Sequence, residues 1–283
     1  MNAFANRIAA SFDAMVLPRR EARRLREEAM MSVAMIDRLA ARCVEEAKAQ
    51  GVDAGDWETG IADEIRFWWG RIAEPRNERQ AKKFARTFRL NRPFDYGDDL
   101  RQDREPRQIE ALDIGCALRP ALGRRWRRGR INIVAADPLA SAYQTLLDAF
   151  GIERGFSLEW CVAEKTADVF GTNRFDFVLA KNALDHGYDP ALAFEQIAAA
   201  LKPGGVGRFR HWKNEAEYHG YAGFHQWNIE PDGEGLRVWR PGADRKVDFR
   251  AFGCAAEITP VKAPKRSGED HPAFEVRIVK SLG

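Results

Sequence analysis

Glu110-Ala-Leu-Asp-Ile-Gly115, followed some twenty residues later by Ile131-Asn-Ile-Val-Ala-Ala-Asp137, decides the fold of this chain. Each stretch reads as a short buried strand, and each ends where a nucleotide-binding fold receives its ligand. Leu112-Asp113-Ile114-Gly115 turns sharply at the carboxyl end of a first strand, where glycine lets backbone approach a ligand closely. Asp137 closes the second strand with a carboxylate placed to accept the hydroxyls of a ribose. The pair points to a nucleoside ligand before it points to a reaction.

From Ile109 onward, short apolar runs alternate with helical patterns, the signature of a parallel sheet with crossover helices. Strands are predicted over Ile109–Ile114, Ile131–Ala136, Leu158–Val162, Phe175–Ala180 and Val206–Trp212. Helices are predicted over Ala140–Phe150 and Pro190–Leu201, with Lys202-Pro203-Gly204-Gly205 as a tight turn into the fifth strand. The tail offers Leu236–Trp239 and Phe274–Val279 as antiparallel strands added at one side.

The first hundred residues read differently. Leu25, Ala29, Val33, Ile36, Leu39 and Cys43 recur at steps of three and four, an apolar stripe on one long helix that Gly51 would stop. A second helix is predicted from about Trp57 to Ala73, with Trp57, Ile61, Ile65, Trp68 and Ile72 on one face and Pro75 ending it. Arg89–Arg107 reads as an irregular connection.

Composition narrows the function classes. The 283 residues carry 45 basic and 42 acidic side chains, a net charge of +3, which does not by itself indicate a nucleic-acid partner. The run Arg124-Arg125-Trp126-Arg127-Arg128 reads as a solvated loop rather than a phosphate-binding patch. Four scattered cysteines (Cys43, Cys116, Cys161, Cys254) form no CxxC pair, which argues against zinc fingers and disulfide frameworks. No run approaches the ~20 apolar residues of a membrane span, and Arg7 and Asp13 interrupt the apolar pattern of residues 1–16. A cytoplasmic location is expected.

The order of motifs resembles a class I S-adenosylmethionine-dependent methyltransferase. The matching residues are Leu112–Cys116, Asp137, Ala163-Glu164, Phe175–Leu179 with Asn182–His186, and Leu201–Gly205. They fall in the family's order and spacing over roughly a third of the chain. His211–Glu217, Gly223–Asn228, Asp185–Pro190 and the aromatic Phe67-Trp68-Trp69 also resemble a group of bacterial methyltransferases. The fold this implies is α/β: a Rossmann-like, seven-stranded class I methyltransferase sheet with an N-terminal helical region. Residues 1–108 are then a helical region that packs on the site or covers it as a lid, and residues 109–283 the methyltransferase domain.

The resemblance implies S-adenosylmethionine as cofactor, with S-adenosylhomocysteine as product. Asp113, Gly115, Cys116 and Ala117 are expected at its methionine end, Asp137 at the ribose, Pro138 and Leu139 at the adenine face, and Glu164 by the adenine amino group. Lys181 and Asn182 are expected beside the sulfonium. One departure stands out: the family's Gly-x-Gly is here Gly115-Cys116-Ala117. A positive φ at Ala117 would strain the loop by about 1 kcal/mol or more, and a negative φ would not. Arg119-Pro120-Ala121-Leu122-Gly123 also reads poorly as the helix that usually follows.

His186 is the candidate general base, since an ordinary imidazole pKa near 6.5 suits removal of a hydroxyl proton. His211, Asn214, Glu215, Tyr218, His225, Gln226 and Trp227 form a polar block with a Trp platform, expected to bind a small or glycan-like acceptor. Four of the five histidines fall between residues 186 and 225, yet no HxxxH or HxH spacing occurs, and no metal is expected. Methylation of oxygen or nitrogen is the leading reading. The alternatives are a nucleic-acid methyltransferase, using Arg124–Arg130 and the N-terminal Arg19, Arg20, Arg23, Arg24 and Arg26, and a non-catalytic binding protein on the same scaffold. No base-methylating Asn-Pro-Pro-Tyr tetrad is present, and Gly115-Cys-Ala-Leu-Arg-Pro does not fit the dinucleotide pattern Gly-x-Gly-x-x-Gly.

Overall fold

A computed structural model of the chain describes residues 19–52, 58–74, 76–100, 107–262 and 271–282, with side chains from Val33 onward apart from Thr59 and Arg107. The predicted positions Trp57 and Pro75, and the side chains of Arg19 to Ala29, lie outside the described residues.

The sheet is built outward from β1 (Arg107–Ile114), which runs parallel to β3 (Gly129–Ala136) on one side and β5 (Phe175–Lys181) on the other. These strands read as near-continuous apolar runs because both faces are covered. Phe177 meets Phe94 and Tyr96 on one face, while Val178 joins Phe194 and Ile197 of helix α6 (Pro190–Ala200) on the other. Asp189 caps α6 by accepting from Leu192 N, with Pro190 at its first position. Beyond β5 comes β6 (Leu201–Trp212), parallel, then β11 (Ala273–Lys280) and β10 (Cys254–Val261), with β11 antiparallel to both neighbours. The outer edge of β3 carries β4 (Leu158–Glu159) at one end and β2 (Arg125–Trp126) at the other.

The sheet therefore has eight strands where seven were expected: the two-residue β2 and β10 were not anticipated, and Leu236–Trp239, counted among the seven, lies elsewhere. The direction of winding reverses between β1 and β5, and such a switch point opens a crevice at the strands' carboxyl ends. Two connections depart from the sequence reading. The turn over Lys202–Gly205 is absorbed into β6 as an irregularity opposite Phe175 and Phe177. Leu236–Trp239 does not extend the main sheet. It is part of β8 (Gly235–Arg240) in a separate antiparallel sheet with β7 (Asn228–Asp232) and β9 (Ala243–Val247). This small sheet covers α6 with Ile229, Leu236, Val238 and Val247.

The two expected N-terminal helices are α1 (Arg19–Ala49) and α2 (Glu58–Ala73). Ile36, Cys43, Ile61 and Ile65 share one buried core with Leu139, Tyr143 and Leu146, the last two from helix α4 (Ala140–Ala149). A third helix, α3 (Glu78–Arg86), was not anticipated. It buries no residue and rests on an Asn77–Gln80 capping box, so it leaves no apolar stripe to read. Among the described residues no helix is long and apolar enough to cross a membrane.

Candidate functional site

The crevice at the β1–β5 switch point holds a cavity of about 200 Å³. At its floor the chain leaves β1 through Gly115, φ 68°, whose N–H and that of Cys116 both donate to Ala136 O, at 2.9 and 3.2 Å. These bonds stitch the loop to the tip of β3. A Cβ at Gly115 would lie 2.4 Å from the Ala183 methyl, so only glycine fits.

Ala117 takes φ 52°, the left-handed conformation in which its methyl is strained. It is held there because its N–H donates to Asp137 Oδ2 at 2.8 Å, while Asp137 Oδ1 accepts from Leu139 N at 2.9 Å. Asp137 thus joins the loop after β1 to the loop after β3. Asp113 organises the next turn, its Oδ2 accepting from Ala121 N and Leu122 N at 2.6 and 3.2 Å. Arg92 clasps the same turn through Pro120 O and Leu122 O. No helix forms across 115–124, in keeping with the Arg119–Gly123 composition.

Glu164, in the short turn before α5 (Thr166–Phe170), is buried and accepts from Asp189 N at 2.9 Å. A Cβ on Gly187 would strike its carboxylate at 2.2 Å, so Glu164 is packed flush against that loop. Burial pushes the carboxyls of Asp113, Asp137 and Glu164 each up to about 7, against the pull of their amide donors.

All ten residues expected around a cofactor line this cavity: Asp113, Gly115, Cys116, Ala117, Asp137, Pro138, Leu139, Glu164, Lys181 and Asn182. His186 lines it too. Sequence reasoning missed Glu64, Arg119, Tyr143, Tyr188 and Phe224, and left Trp68 between lid and packing. Trp68 and Glu64 face the cavity from α2, one helical turn apart, with Trp68 Nε1 donating to Glu64 Oε1 at 2.7 Å. Phe224 closes over α2 so tightly that a Cβ on Gly60 would lie 2.1 Å from its ring. Arg119 enters from the loop after β1. Burial pulls its guanidinium pKa down, as does Arg92 nearby.

The expected acceptor block is dispersed. None of His211, Asn214, Glu215, Tyr218, His225, Gln226 and Trp227 lines the cavity. Trp227 is a core residue beneath Arg240 rather than a platform, and Gln226 Nε2 ties its own loop through Tyr221 O and Gly223 O. Asn214 bonds Glu230. Tyr218 packs against His271, the rings tilted by 52° with centroids 4.4 Å apart.

Instead, the histidines gather around two buried carboxylates, Asp185 and Glu215. His225 Nδ1 donates to Asp185 Oδ2 at 3.0 Å, and His186 Nε2 lies 3.6 Å from the same oxygen. Burial pushes the Asp185 carboxyl up, but His186 and His225 outweigh it and hold the group well below the usual carboxylate range. Glu215 opens the short helix α7 (Glu215–Tyr218), with Oε2 3.7 Å from His219 Nε2 and 4.0 Å from His225 Nδ1. Its Oε1 is 3.3 Å from His271 Nε2. His211, on β6, is buried between Phe194 and Phe274, and burial brings its pKa down to about 4.

Comparison with known proteins places the recognisable segment. Residues 112–209 match the family model described as a methyltransferase domain. Over 164 residues the chain is 27% identical to a ubiquinone biosynthesis O-methyltransferase of Chelativorans sp. (strain BNC1), covering 57% of this chain. The chain spans 63% of that relative's length. Among solved structures, an S-adenosylmethionine-dependent methyltransferase from Methanosarcina mazei aligns over 66% of this chain and 96% of its own, at 15% identity and a TM-score of 0.41. Another, from Mesorhizobium loti, aligns over 63% and 94%, at 17% identity and a TM-score of 0.39.

Proposed function

We propose, from the match of residues 112–209 to a methyltransferase domain and the strand-tip cradle built there, that this protein moves a methyl group from S-adenosylmethionine to a small hydroxylated or amino acceptor. One observation carries the reading. The glycine turn after β1 and the carboxylate after β3 are neighbours, Ile114 opposite Ala136 and Ala117 bonded to Asp137, and they open into a single cavity.

Each Asp137 oxygen accepts one amide hydrogen and keeps a lone pair, enough for two ribose hydroxyls. Pro138, Leu139 and Tyr143 supply an apolar wall for adenine, and Arg119 supplies a cation for the methionine carboxylate. Methyl transfer is an in-line displacement at a carbon already activated by the sulfonium, so the protein mainly aligns the two partners and excludes water. The roof of Glu64, Trp68 and Phe224 serves the second task, which gives α2 the role of a lid. His186, on the cavity wall and held beside Asp185, takes the acceptor's proton.

An oxygen acceptor is favoured by the likeness to the Chelativorans O-methyltransferase. A nucleic-acid acceptor is disfavoured by the position of the arginine run. Arg125 and Trp126 pair with the start of β3, at Arg130 and Gly129, whereas the cavity is at its end. Seven residues of strand separate them, roughly 23 Å. Methyl-labelled S-adenosylmethionine offered with phenols, catechols, sugars and amines tests the proposal. Label passing to a small acceptor supports it, whereas label passing only to RNA or DNA would overturn the acceptor class.

A further inference from the structure

We propose that Glu215, His219 and His225 form a binding site for a first-row divalent transition ion, zinc or a close relative. Their donor atoms lie within 4.8 Å of one another, so an ion at roughly 2.0–2.2 Å from each draws them closer together and turns one imidazole. Two imidazoles and one carboxylate are the donor set of open, reactive sites for such ions, and hard cations such as magnesium prefer oxygen alone.

Several features mark the place as built. Glu215 and His219 are one helical turn apart, with Glu215 Oε2 3.7 Å from His219 Nε2, and the His219 and His225 rings stack 9° and 4.0 Å apart, so one ring must turn out of the stack for both to reach one ion. Asp185 accepts from His225 Nδ1 at 3.0 Å, the nitrogen that also lies nearest Glu215, so His225 would ligate through Nε2 after its ring turns, with Asp185 kept on Nδ1 to orient it. That bond is also why Asp185 is read as the holder of His225 rather than as a ligand, although Asp185, His186 and His225 also cluster closely. The neighbourhood contains buried polar atoms with no hydrogen-bond partner: Asp185 Oδ1 and both ring nitrogens of His211. Buried polar atoms of this kind are met by an ion or its waters far more often than left alone. The sequence holds five histidines, and each comes near Asp185 or Glu215 or feels its charge.

The site adjoins the cavity, since His186 lines it and its ring is 4.6 Å from that of His225. The binding itself does not depend on the methyltransferase reading.

The test uses the full chain stripped with a chelator and titrated, without cofactor, with Co²⁺ followed by visible absorption and with Zn²⁺ followed by calorimetry. Expected are about one ion per chain, cobalt bands of a nitrogen- and oxygen-coordinated centre, and affinity lower by on the order of 100-fold in Glu215→Gln and His219→Ala. His219 is partly exposed, so its variant should fold even where that of the buried Glu215 does not. S-adenosylhomocysteine affinity in His219→Ala should match the parent, which separates this site from the cofactor cradle. A folded, stripped chain that takes up neither ion, or a His219→Ala variant that binds them as the parent does, would overturn the proposal.

Discussion

The two ends of the crevice are made in opposite ways. At the cofactor end, residues about twenty apart in sequence meet through backbone amides: Gly115 and Cys116 on Ala136, and Ala117 on Asp137. At the histidine end, the loop after β5, strand β6, helix α7, the loop before β7 and the residue run before β11 each contribute a side chain. Backbone geometry at two strand tips is dictated by local sequence and recurs wherever that sequence does. A side-chain cluster drawn from distant segments exists only once the whole fold is in place. The first end therefore leaves a motif, and the second leaves none.

This contrast makes predictions of graded size. Removing the proton acceptor should touch chemistry alone: His186→Ala should lower the methyl-transfer rate by about 10²–10⁴-fold with cofactor affinity unchanged. A rate equal to the parent's would remove His186 from the mechanism. Arg119→Ala should weaken S-adenosylmethionine by about 10–100-fold, the usual loss for a charge-assisted bond. Binding of 5′-methylthioadenosine, which lacks the amino-acid portion, should be untouched, and equal losses for both ligands would move Arg119 away from the methionine end.

The cradle's buried acids give a pH signature. Asp113 and Asp137 titrate near 7 in the folded chain, above their unfolded values, so the folded form keeps protons that the unfolded form releases. Their contribution to stability is then full below about pH 4 and is lost as the pH rises to about 7. Asp113→Asn should flatten that descent by at most about 1.4 kcal/mol per pH unit in urea titrations. The smallest effect is local. Ala117→Gly relieves a left-handed alanine and should stabilise the protein by about 0.5–1 kcal/mol, the unfolded chain's added freedom offsetting part of the gain.

The sheet's centre was legible because β1, β3 and β5 are apolar runs bounded by Gly115, Asp137 and Lys181, and burial on both faces demands such runs. The small sheet was missed although its turn is written at Asp232-Gly233, with Gly233 at φ 62° between paired Asp232 and Gly235. Helix α3 buries nothing, so no periodicity marks it. The strain at Ala117 followed from residue type only as a condition on φ, and the bond to Asp137 decided it.

The expected acceptor block does not gather on the cavity, for a physical reason. Polar residues close together in sequence were assumed to face one space, but the chain there passes from strand to helix to loop to strand. Trp227 is turned into the core, Gln226 onto its own backbone and Glu215 toward the histidines. Trp68 was correctly set on an apolar helical face. Only the packing of α2 across the strand tips turns that face into a roof.

The account depends most on Asp137 gripping an adenosyl group beside the Gly115 turn. Calorimetric titration of S-adenosylhomocysteine into the parent chain and into Asp137→Ala tests this directly. The expected result is saturable binding of one ligand per chain, weakened about 10–100-fold by the substitution. Equal affinity in the two proteins, or no heat of binding from a parent chain whose circular dichroism confirms an intact fold, would contradict it.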